Sequence, residues 1–127
     1  MDMPIPTAKI LHRRQSIVAG LLRILPEDAV ISDPTETRAY ECDALTAYRA
    51  QPLAVILPRS TAEVAAALAY LHREGVPVVA RGAGTSLSGG ALPTEDAVLL
   101  GLARMNAVLE TDYNNRFIRV EAGRTNL

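Results

Sequence analysis

The stretch Val76-Pro-Val-Val-Ala-Arg-Gly-Ala-Gly-Thr-Ser-Leu-Ser-Gly-Gly90 joins a short apolar run to a loop that is rich in glycine and hydroxyl side chains. Residues 82–90 contain four glycines, two serines, one threonine and no acidic residue. Glycine permits positive φ angles and lets another molecule approach the main chain closely. Successive backbone N–H groups in such a loop form a concavity that binds anions, phosphates in particular. The stretch therefore predicts a strand followed by a candidate loop for the diphosphate of a nucleotide cofactor.

The residues before this loop predict a strand, a helix and a second strand. Residues 53–57 form a continuous apolar run, as expected of a strand that is buried on both faces. Ser60-Thr-Ala-Glu63 has the pattern of a capping box, in which the serine and the glutamate each accept a hydrogen bond from a backbone N–H of the other. Gly75 is suited to end the helix in the left-handed conformation. With a strand at 76–80, this order predicts a βαβ unit with parallel pairing.

The residues after the loop predict further β-structure. Residues 97–102 supply a third apolar run, and residues 107–112 and 116–121 flank the polar turn Tyr113-Asn-Asn115. Two such segments around a short polar turn are typical of a β-hairpin. The sequence therefore predicts an α+β fold that contains a small parallel sheet, flanking helices and a hairpin.

The N-terminal part is less regular. Residues 1–30 are predicted to hold a loose leader up to Gln15 and a helix that Ser16 caps. Residues 31–127 are predicted to form the domain itself. Asp33-Pro-Thr-Glu36 has the cap, proline and glutamate of a second helix start, and residues 40–48 are predicted to be an ordered loop.

Composition narrows the class of protein. A chain of 127 residues with 49% hydrophobic and 21% charged residues fits one globular domain. A net charge of −1 does not predict a nucleic-acid surface, and the two histidines and one cysteine predict no metal site. His12-Arg-Arg-Gln-Ser16 raises the possibility of twin-arginine export, but the apolar run behind it is short and interrupted by Arg23. We therefore expect a cytoplasmic location.

Two common phosphate loops do not match. The P-loop requires a lysine followed by serine or threonine after its second glycine, and the only lysine of this chain is Lys9. The Rossmann pattern would begin at Gly82 and Gly84, but its third glycine falls on Leu87. On the residues alone, a phosphate cradle and a purely structural glycine turn both remain open.

A family resemblance bears on this choice. The segments 81–93 and 58–64 closely resemble the FAD-binding domain of the vanillyl-alcohol oxidase/PCMH flavoproteins. The segment Tyr40-Glu-Cys-Asp-Ala-Leu-Thr-Ala-Tyr-Arg49 is similar to the D subunit of bacterial glycolate oxidases within that family. The likeness runs from about residue 31 to 127 and implies an N-terminal fragment, namely the first subdomain of the FAD-binding domain. FAD would lie between it and a second, larger α+β subdomain that this sequence lacks.

The resemblance also implies which residues contact the cofactor. Around the diphosphate they are Arg81, Gly82, Ala83, Gly84, Thr85 and Ser86; Gly89 and Gly90 close the loop towards the flavin, Pro58 and Val79 flank the cofactor, and Gly123 stands at the end of a strand that approaches it. Family members that attach flavin covalently through this loop have a histidine where this chain has Thr85, so we expect non-covalent FAD. No residue of this chain is predicted to be catalytic.

The activity implied by the resemblance is oxidation of a 2-hydroxy acid, glycolate first, by hydride transfer to flavin. D-lactate and D-2-hydroxyglutarate enzymes share the loop. The implied partners are the remaining FAD and substrate domains and companion oxidase subunits, including an iron–sulfur protein. Through these subunits the protein would lie at the inner face of the cytoplasmic membrane. The alternative is a stand-alone nucleotide-binding module or an inactive remnant of a truncated gene.

Overall fold

A computed structural model describes residues 3–126 of the chain. The helices are α1 (Ala8–His12), α2 (Arg14–Leu21), α3 (Pro34–Thr37) and α4 (Thr61–Arg73), with 3₁₀ turns at Glu27–Ala29 and Arg38–Tyr40. The strands are β1 (Val30–Ile31), β2 (Ala54–Ile56), β3 (Val78–Arg81), β4 (Val98–Gly101), β5 (Val108–Asp112) and β6 (Phe117–Val120). No helix within the described residues has the length and apolar character needed to cross a membrane.

Strands β1 to β4 form a four-stranded mixed sheet in the order β1-β2-β4-β3. β2, β4 and β3 run parallel, and β1 pairs with β2 in the antiparallel direction. The two strands of the predicted βαβ unit are therefore parallel, but they do not pair with each other, because β4 lies between them. All four residues of β4 are buried, as are all three of β2. The most apolar runs thus form the two central strands of the sheet, because central strands are buried on both faces.

Helices α2 and α4 cover one face of this sheet. Ile17, Leu21 and Leu71 are fully buried in one cluster with Ile56 of β2. The Ser60 hydroxyl accepts a hydrogen bond from the Glu63 N–H at 3.2 Å and caps α4, as predicted. The reciprocal contact differs, because the Glu63 carboxylate accepts from the N–H of Arg59, one residue before the cap. At the other end of the helix Gly75 has a φ of +66°, which confirms the predicted left-handed cap.

The N-terminal residues differ from the prediction. Residues 8–12 are helical and Ile10 is buried, so this part of the predicted loose leader packs on the domain. The backbone N–H of Thr7 donates to the Asp96 carboxylate at 2.8 Å and fixes the start of the segment. Ser16 does not cap α2, which begins after Arg13; its hydroxyl instead donates to the Arg13 carbonyl. Tertiary packing of apolar residues on both sides of Arg13 outweighs the local capping signal.

The predicted second helix start and the hairpin are both present. The Asp33 carboxylate accepts from the Thr35 N–H at 2.7 Å and caps the short helix α3. Strands β5 and β6 pair in the antiparallel direction as a separate two-stranded sheet, with an irregularity at Leu109. Every residue of β6 is exposed, so this hairpin has no apolar cover among the described residues.

Candidate functional site

The carboxyl ends of the three parallel strands meet at one edge of the sheet. Pro58 follows β2, the glycine loop follows β3, and the turn that begins at Leu102 follows β4. Ligands of α/β proteins bind at this edge, because the loops that leave it are free to form a crevice. The Leu102 N–H donates to the Arg81 carbonyl at 2.9 Å and holds the starts of two of these loops together. Pro58 itself is fully buried and supports this edge from within.

Two glycines of the loop have backbone angles that other residues rarely adopt. Gly84 has a φ of +73° and Gly89 a φ of +76°. The Gly84 carbonyl accepts from the Ala44 N–H at 3.0 Å, and the Gly89 carbonyl accepts from the Leu92 N–H at 3.1 Å. These bonds turn the first carbonyl towards the protein. Neither bond uses an N–H group of the chain between the two glycines.

The backbone donors at the start of the loop are available. Within residues 3–126, none of the N–H groups of residues 82–87 donates to a protein acceptor; the Ser88 N–H is the next that does, to the Ser86 hydroxyl at 3.4 Å. Gly82, Ala83 and Thr85 are also exposed. A run of free, exposed N–H groups is the donor set that a phosphate oxygen requires. The geometry therefore favours the phosphate cradle over the purely structural turn.

A cavity of about 200 Å³ brings the start of this loop together with the end of the hairpin. Gly82 and Ala83 line one side and Gly123 lines the other, so the structure brings together predicted residues that are 41 and 40 positions apart in the chain. A Cβ atom on Gly123 would lie 1.8 Å from the Leu102 carbonyl oxygen. Gly123 is therefore needed for the close approach of two backbone segments, which its N–H bond to the Met105 carbonyl at 2.8 Å also fixes.

Arg81 is turned away from this cavity. Its guanidinium donates to the Ala91 carbonyl at 2.7 and 3.2 Å and to the Cys42 carbonyl at 2.8 Å, and the residue is buried. The side chain thus holds the exit of the glycine loop and the segment around Cys42 against the sheet. The Arg81 side chain is therefore engaged within the protein, and its carbonyl accepts from the Leu102 N–H.

The remaining predicted residues lie in several places. Val79 is half-buried in the middle of the edge strand β3, where it pairs with Leu99. Thr85 and Gly90 are exposed and Ser86 is half-buried, while Gly89 lines a second, larger cavity of about 520 Å³ at the far end of the loop. The two ends of the loop therefore open onto different cavities, one narrow and lined in part by polar side chains, the other broad and mostly apolar.

Four residues of the first cavity were missed by sequence reasoning. They are Ala103, Asn106, Arg124 and Thr125. The last two directly follow Gly123, so their position in the chain was a signal, whereas nothing in the sequence marks Asn106. The supporting role of the segment at 42–44 under the loop was also missed, although the segment itself was singled out.

These features fit an anionic diphosphate. A Cβ atom on Gly82 would meet no atom within 4 Å, so the space over this residue is open. The residues that line the cavity include an amide, a hydroxyl and a guanidinium but no carboxylate. Donors without a competing anion are what charge-assisted hydrogen bonds to phosphate require. The cavity is therefore chemically suited to the diphosphate part of FAD.

Comparisons with known proteins identify the type of domain. A family described as "FAD binding domain" matches residues 52–126. The glycolate oxidase subunit GlcD of Escherichia coli strain K12 is 46% identical over 114 residues, which cover 90% of this chain and 23% of that protein. A D-lactate dehydrogenase of Archaeoglobus fulgidus is 41% identical over 76 residues, which cover 60% of this chain and 17% of that protein.

Among solved structures, p-cresol methylhydroxylase superposes with a TM-score of 0.79 at 20% identity, over 94% of this chain and 24% of that one. At this identity the likeness concerns the fold alone. The chain spans about a quarter or less of the length of these proteins.

Proposed function

The chain belongs to the PCMH-type family of FAD-binding domains, and we propose that it is the part of a 2-hydroxy-acid dehydrogenase that binds the diphosphate of FAD. The observation that carries this proposal is the narrow cavity between Gly82 and Gly123. It presents free backbone donors, it has no acidic lining, and it lies at the carboxyl edge of the parallel strands.

The residues of this chain would act on the cofactor by binding and orientation. The N–H groups of residues 82–84 donate to the diphosphate oxygens, and Gly123 allows the opposite wall to stand close enough to enclose them. Arg81 keeps the loop in place through the Ala91 and Cys42 carbonyls. Bound FAD supplies the hydride acceptor for oxidation of the substrate. Thr85 offers no nucleophilic nitrogen for attachment, so we propose that FAD is bound non-covalently.

Glycolate is the substrate that we propose first. The support is the 46% identity to the Escherichia coli glycolate oxidase subunit, which exceeds the 41% identity to the D-lactate dehydrogenase. Because the relative is named as a subunit, we also propose that the protein assembles with companion subunits, an iron–sulfur protein among them. A cytoplasmic location, peripheral to the inner face of the membrane through those subunits, is part of the same proposal.

Cofactor binding is tested on the chain itself. In NMR titrations with FAD, ADP and riboflavin, we expect FAD and ADP to shift the amide signals of residues 82–84 and 123. Riboflavin lacks the diphosphate and should leave these signals in place. Binding is expected to be weak, with a dissociation constant on the order of 1 mM, because one side of the cavity is open. Equal shifts with riboflavin, or none with FAD and ADP, would contradict the proposal.

The activity is tested in a chimera. The 114 matched residues of the Escherichia coli subunit are replaced by those of this chain, and the chimera is expressed with the companion subunits of that enzyme. We expect flavin that is released into the supernatant on acid precipitation, and turnover of glycolate above D-lactate and D-2-hydroxyglutarate. A chimera that folds but holds no flavin would favour a stand-alone nucleotide-binding module instead.

A further inference from the structure

The narrow cavity contains one charged side chain. Of the residues that line it, only Arg124 is ionised, and the others are small or neutral, such as Gly82, Asn106 and Thr125. A diphosphate carries several negative charges, and neutral donors alone compensate them poorly. Arg124 is therefore the one source, among the residues that line this cavity, of the positive charge that such a ligand requires.

The Arg124 guanidinium is free to take this role. Its backbone is fixed by an N–H bond to the Glu121 carbonyl at 3.1 Å, while its side chain makes one long bond of 3.4 Å, to the Asn106 carbonyl. Within residues 3–126 it forms no ion pair with a carboxylate. A guanidinium has five N–H donors, so most of those of Arg124 remain available.

The other arginine at this site is already engaged. All the hydrogen bonds of the Arg81 guanidinium go to the Ala91 and Cys42 carbonyls, and the residue is only 8% exposed. Several further arginines pair with carboxylates, for example Arg13 with Glu74 and Arg119 with Glu110. Arg124 thus combines free donors, solvent access and a position on the cavity wall.

We propose that Arg124 is the residue that binds the diphosphate of the cofactor and offsets part of its negative charge, by bidentate hydrogen bonds across the cavity from the N–H groups of Gly82 and Ala83. The planar fork of a guanidinium matches two phosphate oxygens, which a lysine ammonium cannot do. This inference rests on the proposed function, because it assigns a further binding residue to the same site.

The test uses inorganic pyrophosphate as the probe and the whole chain as the protein. Pyrophosphate affinity is measured from the amide shifts of Gly82 and Ala83 for the wild type, Arg124→Gln, Arg124→Lys and Arg116→Gln. Arg116 is exposed on the hairpin and does not line the cavity, so its replacement removes the same charge elsewhere. We expect Arg124→Gln to weaken binding about tenfold and to flatten its salt dependence. Arg124→Lys should fall between, and Arg116→Gln should match the wild type.

The outcomes separate this inference from the proposed function. If Arg124→Gln binds pyrophosphate and FAD as the wild type does, the inference is wrong while the FAD site stands. An equal loss in Arg116→Gln would show a general charge effect and would also overturn it. If the wild type shows no shift at Gly82 and Ala83 with pyrophosphate or with FAD, both the inference and the proposed function fail. Dispersed amide spectra of all four proteins establish that each variant is folded.

Discussion

The two sheets of this molecule are built in opposite ways. In the four-stranded sheet, the residues Val98–Leu100 of β4 are at most 4% exposed. In the hairpin, Leu109 and Ile118 are 58% and 57% exposed. Burial of apolar surface contributes about 25 cal/mol per Å², so the four-stranded sheet and the helices packed on it supply nearly all of the apolar stabilisation. The fold therefore depends on the parallel strands, and the hairpin depends on the fold.

The candidate site joins these unequal regions. Its first wall, Gly82 and Ala83, leaves directly from the buried sheet. Its second wall, which begins at Gly123, is held at the base of the hairpin by backbone bonds from Glu121 to Ala107 and from Gly123 to Met105, at 2.9 and 2.8 Å. A wall held by a few hydrogen bonds moves more easily than one held by a packed core. Global stability and cofactor binding can therefore be changed separately.

The largest expected effect is a difference in the free energy of unfolding between two matched truncations, Leu99→Ala in the sheet and Ile118→Ala in the hairpin. Leu99 is fully buried, so its truncation leaves a cavity and should cost about 3–4 kcal/mol of unfolding free energy. Ile118 is mostly exposed, and its truncation should cost about 0.5 kcal/mol or less. Urea denaturation followed by circular dichroism measures both. Similar losses for the two variants would mean that the hairpin stabilises the fold as much as the sheet does.

Local patterns predicted most elements of this fold because each depends on nearby residues. The apolar runs predicted β2, β3 and β4. The caps at Asp33 and Ser60 predicted two helix starts, and the polar turn predicted the hairpin. The order of the strands depends instead on which apolar runs are most fully buried. No local sequence pattern predicts that β4 lies between β2 and β3. The helix at residues 8–12 was missed for a similar reason, because Ile10 is buried in a core cluster whose members include residues far away in the chain, such as Leu53 and Val98.

The candidate site likewise has features that local sequence predicts and features that only the tertiary structure determines. Glycine content and the family resemblance identified the loop, since both are properties of contiguous residues. That Gly82 and Gly123 share one cavity follows from tertiary structure, as does the orientation of Arg81 towards Ala91 and Cys42. A side chain's partners across the fold decide whether its charge is available, and those partners are not adjacent in sequence.

An effect of intermediate size on the free energy of unfolding is expected for glycine substitutions on the two walls of the cavity. Gly123→Ala places a methyl group against the Leu102 carbonyl oxygen, so the hairpin base must shift, at a cost of about 2 kcal/mol. Gly82→Ala meets no atom within 4 Å and should change the unfolding free energy by less than about 0.5 kcal/mol. Its methyl group would still enter the cavity and weaken the binding of FAD. Thermal denaturation and FAD titration of both variants measure the two quantities, and equal melting temperatures would show that the close approach at Gly123 is dispensable.

The smallest effect is a dependence on pH that should be larger at Asp96, in the turn before β4, than in the hairpin. Burial raises the pKa of Asp96, but hydrogen bonds from the Thr7 N–H and the Thr94 hydroxyl outweigh it and hold the pKa below the usual 3.8. A carboxylate with a lowered pKa stabilises the fold above its unfolded value, and this contribution is lost as the pH falls below about 4. Asp96→Asn should therefore flatten the decline of Tm between about pH 5 and pH 3.

Asp112 at the hairpin tip provides the matched comparison for this last prediction. The N–H and the side-chain amide of Asn115 lower its pKa as well, so both carboxylates are held ionised by hydrogen bonds. The two differ in what they tie together. Asp96 fixes the Thr7 segment to the packed domain, whereas Asp112 closes an exposed turn. The bonds of Asp112 go to a residue only three positions away, so Asp112→Asn should flatten the Tm-against-pH curve less than Asp96→Asn does. A curve that flattens as much as that of Asp96→Asn would show that the hairpin unfolds together with the sheet, and would remove the distinction between the two regions.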